Sequence, residues 1–432
     1  MSSREELVSL LFEAAELEHG LCCSYLYAAF TLKRPEQADF TAEQADAVTR
    51  WRKLINSVAQ EEMLHLSLVC NLLTALGGPP HFERASFPQR SRYYPPGITV
   101  ELLPFGDTTL TRFLYIERPE HVEVAEIDPA LESHLEAADE PPVVAATLET
   151  LADEDQTASP EPSEYLTVAH LYAAIEDGLT SLVERLGEDA VFIGPDHAQA
   201  TPAYFHFPDL RAVVDLASAQ EVLTVLIEQG EGTRGDWRDA HYGRFHAVRE
   251  ELRQLQKDDP GFEPTHAALT NPYVIEQLDD PGGSLIDDPL TVKVMELFNG
   301  CYQTMTHVLV RFFAHSGESD EALRVLVAGA VEMMETVIEP LGKLLVTMPA
   351  GPSHPNEVAG PSFEFYRSVA ISPHRRAAWV MLHERFTELA DFAARLVNDD
   401  GAPERLNEVG GALREVAASL EPHLRVPSNG VT

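Results

Sequence analysis

The chain has 432 residues, of which 70 are acidic and 31 basic, and its formal net charge is −39 at pH 7. Such a surface repels phosphate backbones and anionic lipids, which argues against nucleic acid and membrane partners. The sequence contains no run of about 18 apolar residues that could span a bilayer. Hydrophobic residues make up 44% of the chain, enough for a substantial core, so global disorder is excluded.

The N-terminus and the cysteines indicate the cellular compartment of the protein. The first six residues lack the apolar stretch of a signal peptide. Four cysteines without Cys-x-x-Cys spacing, Cys22, Cys23, Cys70 and Cys301, are too few for a disulfide framework at this length. We therefore expect a cytoplasmic protein with buried, reduced cysteines.

Helical periodicity dominates the N-terminal part. The first helix is predicted over 5–33 and ends before Pro35. The second begins at a capping box formed by Thr41 and Gln44 and ends near residue 76 at a Gly-Gly-Pro-Pro stop. An insertion over about 81–162 then interrupts the pattern, with short strands predicted at 98–104 and 112–118. Further helices are predicted over 164–186, 218–230 and 236–256.

The C-terminal part also shows helical patterns. A linker rich in Pro and Gly covers 258–288, and Asp288-Pro289 forms a helix start. Helices are predicted over 290–314, 320–347, 373–397 and 403–420. The expected organisation is a bundle over 1–257, the linker at 258–288, a helical region over 289–425 and a tail at 426–432.

Four of the long helices carry ionisable side chains inside their apolar stripes. These are Glu18 in the first helix, Glu62 and His65 in the second, Glu176 in the third and His241 in the helix near 240. Burying one unpaired carboxylate costs several kcal/mol of folding free energy. These side chains therefore need a partner that they share. Carboxylates and imidazoles are ligands for iron, manganese and zinc. A metal ion bound in the core of a helical bundle would satisfy them all.

The spacing of Glu62 and His65 strengthens this hypothesis. Residues three apart lie on one helix face, so both side chains project toward one point. Glu-x-x-His is the motif of di-metal carboxylate bundles, in which other helices contribute single glutamates. Glu18 and Glu176 are the predicted single glutamates here.

The sequence resembles a known family through motifs spread over most of the chain. They are Glu16-Leu17-Glu18-His19 with Tyr25, Glu61-Glu62-Met63-Leu64-His65, Ala174 to Leu179, Gln229-Gly230-Glu231-Gly232, His241 to Phe245, Asn271-Pro272-Tyr273, Pro340-Leu341-Gly342, Met348-Pro349-Ala350 and Ala359 to Glu364. With these motifs the chain resembles the ferritin-like proteins grouped with the iminophenyl-pyruvate dimer synthases. The ferritin-like domain of that group is shared with an enzyme of violacein-type pigment biosynthesis.

The resemblance implies a mainly α fold. We expect a ferritin-like four-helix bundle with a small β-containing insertion and an additional C-terminal helical region. It further implies an iron cofactor, mononuclear or dinuclear, with manganese or zinc as alternatives. Tyr25 matches a tyrosine that follows the first-helix ligand in many ferritin-like proteins, and it is predicted to be a redox-active or supporting group.

One position departs from the family pattern. The second Glu-x-x-His would fall at 238–241, but residue 238 is Arg, so His241 lacks its carboxylate. An arginine on that helix face would repel metal ions or pair with Glu18, Glu62 or Glu176. Glu231, in the Gly-rich turn before the helix, is the predicted substitute ligand, and a mononuclear site is the alternative.

The function implied by the resemblance is oxidative coupling of an amino-acid-derived imine in secondary metabolism. The expected partners are a small-molecule substrate and dioxygen, and a homo-oligomer is left open. Two alternatives remain at this point. One is an iron-dependent oxidase or oxygenase of another small organic substrate, and the other is a ferritin-like protein that binds metal without catalysis.

Overall fold

The computed structural model describes residues 3–89, 99–128, 167–232, 236–275, 282–314, 317–366 and 370–424. The N-terminal helices of this part are α1 (Arg4–Thr31), α2 (Ala42–Ala75), α3 (Asp107–Ile116), α4 (Val124–Ile127), α5 (Val168–Leu186), α6 (Glu188–Val191), α7 (Leu216–Gly230) and α8 (His241–Asp258). The C-terminal helices are α9 (Pro289–Phe313), α10 (Asp320–Met333), α11 (Glu339–Leu345), α12 (Arg375–Leu396) and α13 (Arg405–Leu420). The predicted mainly helical fold is confirmed.

Helix α1 lies at the centre of the molecule. From Leu17 to Thr31 all its residues except Leu26 are buried, the pattern of a helix covered on every side. It packs against α2, α5 and α11. Helix α8 completes the bundle by packing against α2 and α3.

The helix starts follow the capping chemistry of the sequence. Thr41 and Gln44 form the predicted capping box, because each side chain accepts a hydrogen bond from the backbone N–H of the other, at 3.3 Å and 2.9 Å. Asp288 caps α9 by accepting from the backbone N–H of Thr291 at 2.9 Å. Local hydrogen bonds thus fix where these helices begin.

Part of the insertion differs from the prediction. The strand predicted over 112–118 is wrong, because this segment belongs to α3 and the two residues after it. Leu110, Phe113 and Leu114 are buried at the three- and four-residue spacing of a helix face. The strand predicted over 98–104 is not formed by the described residues of that range, which have only an isolated β-bridge between Val100 and Gln89. Residues 90–98 and 129–162 of the insertion lie outside the described part.

Short strands and a π-turn shape the C-terminal region. Strands β1 (Pro272–Tyr273) and β2 (Ser284–Leu285) pair in parallel, and β3 (Pro349–Gly351) pairs antiparallel with β4 (His354–Val358). The helix predicted over 320–347 is divided into α10 and α11 by a π-turn at Met334–Ile338. The domain boundaries remain predictions, and the tail at 426–432 lies outside the described residues.

Among the described helices, none has the length and apolar character needed to cross a membrane. All four cysteines are buried and free of disulfides.

Candidate metal centre

Helices α1 and α2 bring three ionisable side chains together inside the bundle. Glu18 of α1 and Glu62 and His65 of α2 are all buried, and each offers a ligand atom within 4.8 Å of the other two. The Nδ1 atom of His65 lies 3.0 Å from Oε2 of Glu62 and 3.4 Å from Oε2 of Glu18. The predicted Glu-x-x-His pair therefore faces the predicted glutamate of the neighbouring helix.

A second trio shares Glu62. It consists of Glu62, Glu117 and His241, again buried and again within 4.8 Å of one another. The Nδ1 atom of His241 lies 3.0 Å from Oε1 of Glu62 and 3.5 Å from Oε1 of Glu117. The two oxygens of Glu62 thus face two different histidines. This arrangement suits a carboxylate that bridges two cations.

The Nε2 atom of each histidine, on the ring side away from the carboxylates of the two trios, contacts a polar side chain. Nε2 of His65 donates to Oε1 of Gln229 at 3.0 Å, and Nε2 of His241 donates to Oε2 of Glu61 at 2.8 Å. Glu61 is itself bound by both terminal nitrogens of Arg244. These contacts leave both Nδ1 atoms directed at the carboxylates, as histidine ligands require of their outer partners.

Two tyrosines hold two of the carboxylates. Tyr172 of α5 donates its phenol proton to Oε1 of Glu18, and Tyr25 of α1 donates to Oε1 of Glu117. Burial and the adjacent Glu18 charge raise the pKa of Tyr172 well above its usual value; burial and Glu117 do the same to the pKa of Tyr25. Both phenols therefore stay protonated and act as hydrogen-bond donors.

The centre perturbs the pKa of each ionisable member. Burial, and then the Glu62 charge, raise the pKa of Glu18 to about 7. Burial acts against ionisation of Glu62, but His241 and His65 lower its pKa to about 2. Burial likewise disfavours the imidazolium of His65, yet Glu62 and the bond to Glu18 raise its pKa to about 10. Glu62 and Glu117 raise the pKa of His241 well above its usual value, against the effect of burial.

The residues present fit a metal ion. Oε1 of Glu62 and Nδ1 of His241 are buried, and neither has a hydrogen bond of good geometry although they lie 3.0 Å apart. Ligand atoms about 2.0–2.2 Å from a cation lie up to about 4.4 Å apart, close to the spacing within each trio. Three carboxylates and two imidazoles form a donor set that suits iron, manganese or zinc.

Glu176 does not join this cluster. It is half-buried on α5, where its Oε1 accepts a hydrogen bond from Nε2 of Gln220 at 3.1 Å. The buried face of α5 is formed instead by Leu171, Tyr172, Ile175, Gly178, Leu179 and Leu182, and Glu176 lies at its border. From this helix it is Tyr172 that reaches the centre.

Arg238 does not approach the centre either. Helix α8 begins at His241, not near 236 as predicted, and Arg238 is exposed in the segment before it. The expectation that Arg238 repels metal ions or neutralises the glutamates therefore does not hold. Glu117, one residue beyond α3, supplies the carboxylate beside His241. The sequence did not indicate Glu117, because the segment was interpreted as a strand.

Glu231, the predicted substitute ligand, lies beside the centre with a different set of contacts. It is buried, and its Oε1 accepts from the backbone N–H of Ala169 at 2.9 Å, in the first turn of α5. Burial raises its pKa to about 7 despite this hydrogen bond, and the Glu117 charge contributes. The contacts place Glu231 at the N-terminus of α5, where a carboxylate is stabilised by free backbone N–H groups.

The N-terminal bundle matches a known family. A family model described as Ferritin-like covers residues 11–250, more than half of the chain. The chain belongs to the ferritin-like family. The resemblance found in the sequence is thus confirmed, and the matched range contains every residue of the two trios.

Two relatives resemble this ferritin-like chain over most of its length. Dichlorochromopyrrolate synthase of Lentzea aerocolonigenes is 28% identical over 91% of the chain, and 2-imino-3-(indol-3-yl)propanoate dimerase of Chromobacterium violaceum is 25% identical over 85%. The chain spans only 39% and 35% of the lengths of these relatives. A solved ferritin-like protein from Caulobacter vibrioides is 15% identical, with a TM-score of 0.46 over 76% of this chain and 93% of its own.

Proposed function

We propose that this ferritin-like chain is a metal-dependent oxidoreductase that joins two molecules of an amino-acid-derived imine in secondary metabolism. The observation that carries the proposal is the position of Glu62, which is shared by two buried trios of metal-binding side chains. The relatives support the substrate class, since one is named as a dimerase of an imino acid.

Five side chains would hold two cations. Glu18, Glu62 and His65 would bind one, and Glu62, Glu117 and His241 would bind the other. Iron is the proposed metal, and when bound it would supply the electron transfer between substrate and dioxygen that protein side chains alone do not provide. Joining two imine carbons releases two electrons and two protons, and dioxygen would accept them as hydrogen peroxide.

The protein side chains would orient the centre and keep water away. Gln229 fixes the ring of His65, and Glu61 fixes the ring of His241. Tyr172 and Tyr25 keep their protons and hold the carboxylates of Glu18 and Glu117 by hydrogen bonds. Tyr25 lies one hydrogen bond from a proposed ligand, and a redox role for it stays a prediction.

A cavity of about 280 Å³ lies on the histidine side of the centre. It is lined by Glu61, Glu228, Gln229, Asp236, Asp239, Ala240 and Arg244. Glu61 and Gln229 separate it from His241 and His65 by one layer of side chains. This volume is near the lower end for small-molecule sites, about 300 Å³. We propose that it is the route by which substrate or dioxygen reaches the centre.

Anaerobic iron loading followed by exposure to dioxygen and an imine tests the proposal. The imine would be produced from an aromatic amino acid by an amino acid oxidase, with catalase added to remove peroxide from that step. We expect a product with the mass of two imines minus two hydrogens, formed by the wild type and by Glu176→Ala but not by Glu62→Ala. Equal product with Glu62→Ala would contradict the proposed centre.

A further inference from the structure

A second cavity lies where the C-terminal end of α1 meets α11. Its volume is about 260 Å³, and its lining includes Phe30, Arg34, Arg52, Lys343 and Arg405. Phe30 follows Glu18 by 12 residues along α1, and a helix rises 1.5 Å per residue, so this end is about 18 Å from the metal centre. The cavity is therefore separate from the centre.

The charge of this cavity is opposite to that of the protein. Four of its lining side chains are cationic, namely Arg34, Arg52, Lys343 and Arg405, and none is a carboxylate. The whole chain has 70 acidic and 31 basic residues. The charged groups that line this pocket are all cationic, and in so acidic a protein they create a local positive potential that attracts anions.

Two of the cations lie within 4 Å of a carboxylate oxygen, and the other two form no such ion pair with a described residue. Lys343 pairs with Glu339, and Nε of Arg405 lies 3.8 Å from Oε2 of Glu408. Within the described residues, neither Arg34 nor Arg52 forms an ion pair with a carboxylate. Two guanidinium groups in this cavity thus have no directly contacting carboxylate in the described part of the chain.

Arg52 is fixed in place by backbone groups. Its Nη2 atom donates to the carbonyl oxygens of Leu32 at 3.1 Å and Lys33 at 2.6 Å, beyond the end of α1. Burial and the neighbouring Arg34 charge lower the pKa of Arg52, and Glu36 opposes this only in part. An arginine has five N–H donors, so those not bound to these carbonyls remain for an anion.

One side of the cavity is apolar. Phe30, Leu32, Pro340, Leu344 and Val346 line it. Helix α11 passes very close to α1, because a Cβ atom on Gly342 would lie only 2.5 Å from the Phe30 ring. The Phe30 ring and the backbone of α11 are packed tightly here, so the apolar side of the cavity has little room to move. A ligand that fills the cavity would place a nonpolar group against this wall.

We propose that this cavity binds a small organic dianion with a short apolar body, such as a phosphate monoester. The planar guanidinium groups of Arg34 and Arg52 suit a phosphate or carboxylate group, and its two charges would balance theirs. The apolar body would contact Phe30 and its neighbours. The site does not depend on the proposed metal centre or its function.

Calorimetric titration with three probes at pH 8 tests the proposal. Phenyl phosphate has two charges and a ring, benzoate has the ring with one charge, and inorganic phosphate lacks the ring. We expect phenyl phosphate to bind at least about tenfold more tightly than either of the others, and equally well before and after chelation of metal. The proposal would be overturned if phenyl phosphate failed to bind at millimolar concentration. It would also be overturned if benzoate or inorganic phosphate bound as tightly as phenyl phosphate.

Variants locate the binding. Arg34→Ala should weaken phenyl phosphate binding about tenfold or more, since it removes a charge-assisted contact. Arg376→Ala removes another exposed arginine on α12, outside the cavity lining, and should leave binding unchanged. Arg52→Lys keeps the positive charge but removes the planar guanidinium group with its paired N–H donors, and it should also weaken binding. The proposal fails if Arg34→Ala binds the probe as tightly as Arg376→Ala, with both variants melting like the wild type.

Discussion

At the residue scale, the proposed centre depends on Glu62. Its two carboxylate oxygens lie 3.0 Å from the Nδ1 atoms of two different histidines. Glu18 and Glu117 flank the same group from α1 and from the end of α3. No other side chain belongs to both trios formed by the described residues, so its loss would disrupt both proposed metal positions at once.

Proton release is the first prediction at this scale. Without a bound cation both imidazoles and part of Glu18 hold protons at pH 7, because the pKa of His65 is about 10, that of His241 is raised well above its usual value and that of Glu18 is about 7. Cations require neutral imidazoles and ionised carboxylates. We expect Mn²⁺ binding to release about two or more protons, and affinity to increase from pH 6 to pH 8.

The measurement is calorimetry in buffers with different ionisation enthalpies. The apparent enthalpy should vary with the buffer by an amount that gives the released protons. Binding without proton release, or tighter at pH 6 than at pH 8, would contradict the arrangement of charges in the centre.

The outer hydrogen bonds give a second prediction. Glu61→Gln keeps an oxygen that can accept from His241 but removes the negative charge, which also binds Arg244 and makes the His241 ring more basic, so His241 should become a weaker ligand. Outer partners of metal ligands are typically worth 10–100-fold in affinity, and we expect a loss of about that size for one of two bound cations.

Glu16→Gln is the matched control for that variant. Glu16 also contacts a histidine, His81 at 3.1 Å, but neither residue belongs to the two trios found among the described residues. Cation affinity should remain at the wild-type value in Glu16→Gln. Equal losses in the two variants would show a general effect of charge.

The sequence indicated four of the five clustered residues. Glu18, Glu62, His65 and His241 could be identified because each interrupts an apolar stripe. Glu176 was selected for the same reason, but a stripe is wide enough that its border residue can face a neighbouring helix. Glu117 could not be found this way, since it lies just beyond a helix whose Thr- and aromatic-rich sequence also suits a strand.

At the element scale, the start of α8 positions the second trio. His241 is the first residue of this helix, and the backbone of Trp237 and Arg238 turns back against Gly243. A Cβ atom on Gly243 would lie 2.3 Å from the carbonyl oxygen of Trp237 and 2.5 Å from that of Arg238. Only glycine allows this close approach, so Gly243 helps to determine the position of His241 at the start of α8.

Gly243→Ala should therefore displace the segment before α8. We expect a loss of about 1–3 kcal/mol in the free energy of unfolding, since the clash is with backbone atoms. Metal binding at the proposed His241 position should weaken more than metal binding at the proposed His65 position. Denaturant unfolding and metal titration measure the two effects.

Gly411→Ala provides the comparison within another helix. A Cβ atom there meets nothing within 4 Å, so the substitution should be neutral or stabilise by up to about 1 kcal/mol. If both glycine variants behave alike, the close approach at Gly243 has no energetic consequence.

Most helices could be predicted from the sequence because caps and stops are local. The structure gives α1, α2 and α9 bounds within two residues of those expected. The start of α8 was misplaced because a polar, Gly-rich segment precedes it and is held by tertiary contacts around Gly243. The π-turn before α11 does have a local signal, Pro340, which has no N–H to donate and disturbs the helical turn before it; the regular apolar pattern of 320–347 hid this signal.

At the scale of the whole molecule, the net charge of −39 describes the surface and not the sites. The proposed metal centre uses three buried carboxylates, and the charged residues that line the cavity beside α11 are cations. The remaining acidic residues repel one another across the surface, and this repulsion opposes the compact state.

Screening of that repulsion should stabilise the protein. We expect the melting temperature to rise between about 0.05 M and 1 M NaCl, because the Debye length falls from more than 10 Å to about 3 Å. Sucrose acts by exclusion from the surface rather than by screening, and it serves as the comparison. A melting temperature that falls with salt would show that surface ion pairs outweigh the repulsion.

The most direct test of the central claim is the number of metal ions per chain. Elemental analysis of iron-loaded protein should give two per chain in the wild type and in Glu176→Ala, whose side chain binds Gln220 and not the centre. Glu117→Ala should hold one ion, since only the trio of Glu18, Glu62 and His65 stays intact. Glu62→Ala should hold fewer than one. Two ions in Glu117→Ala, together with a loss in Glu176→Ala, would contradict the centre described here.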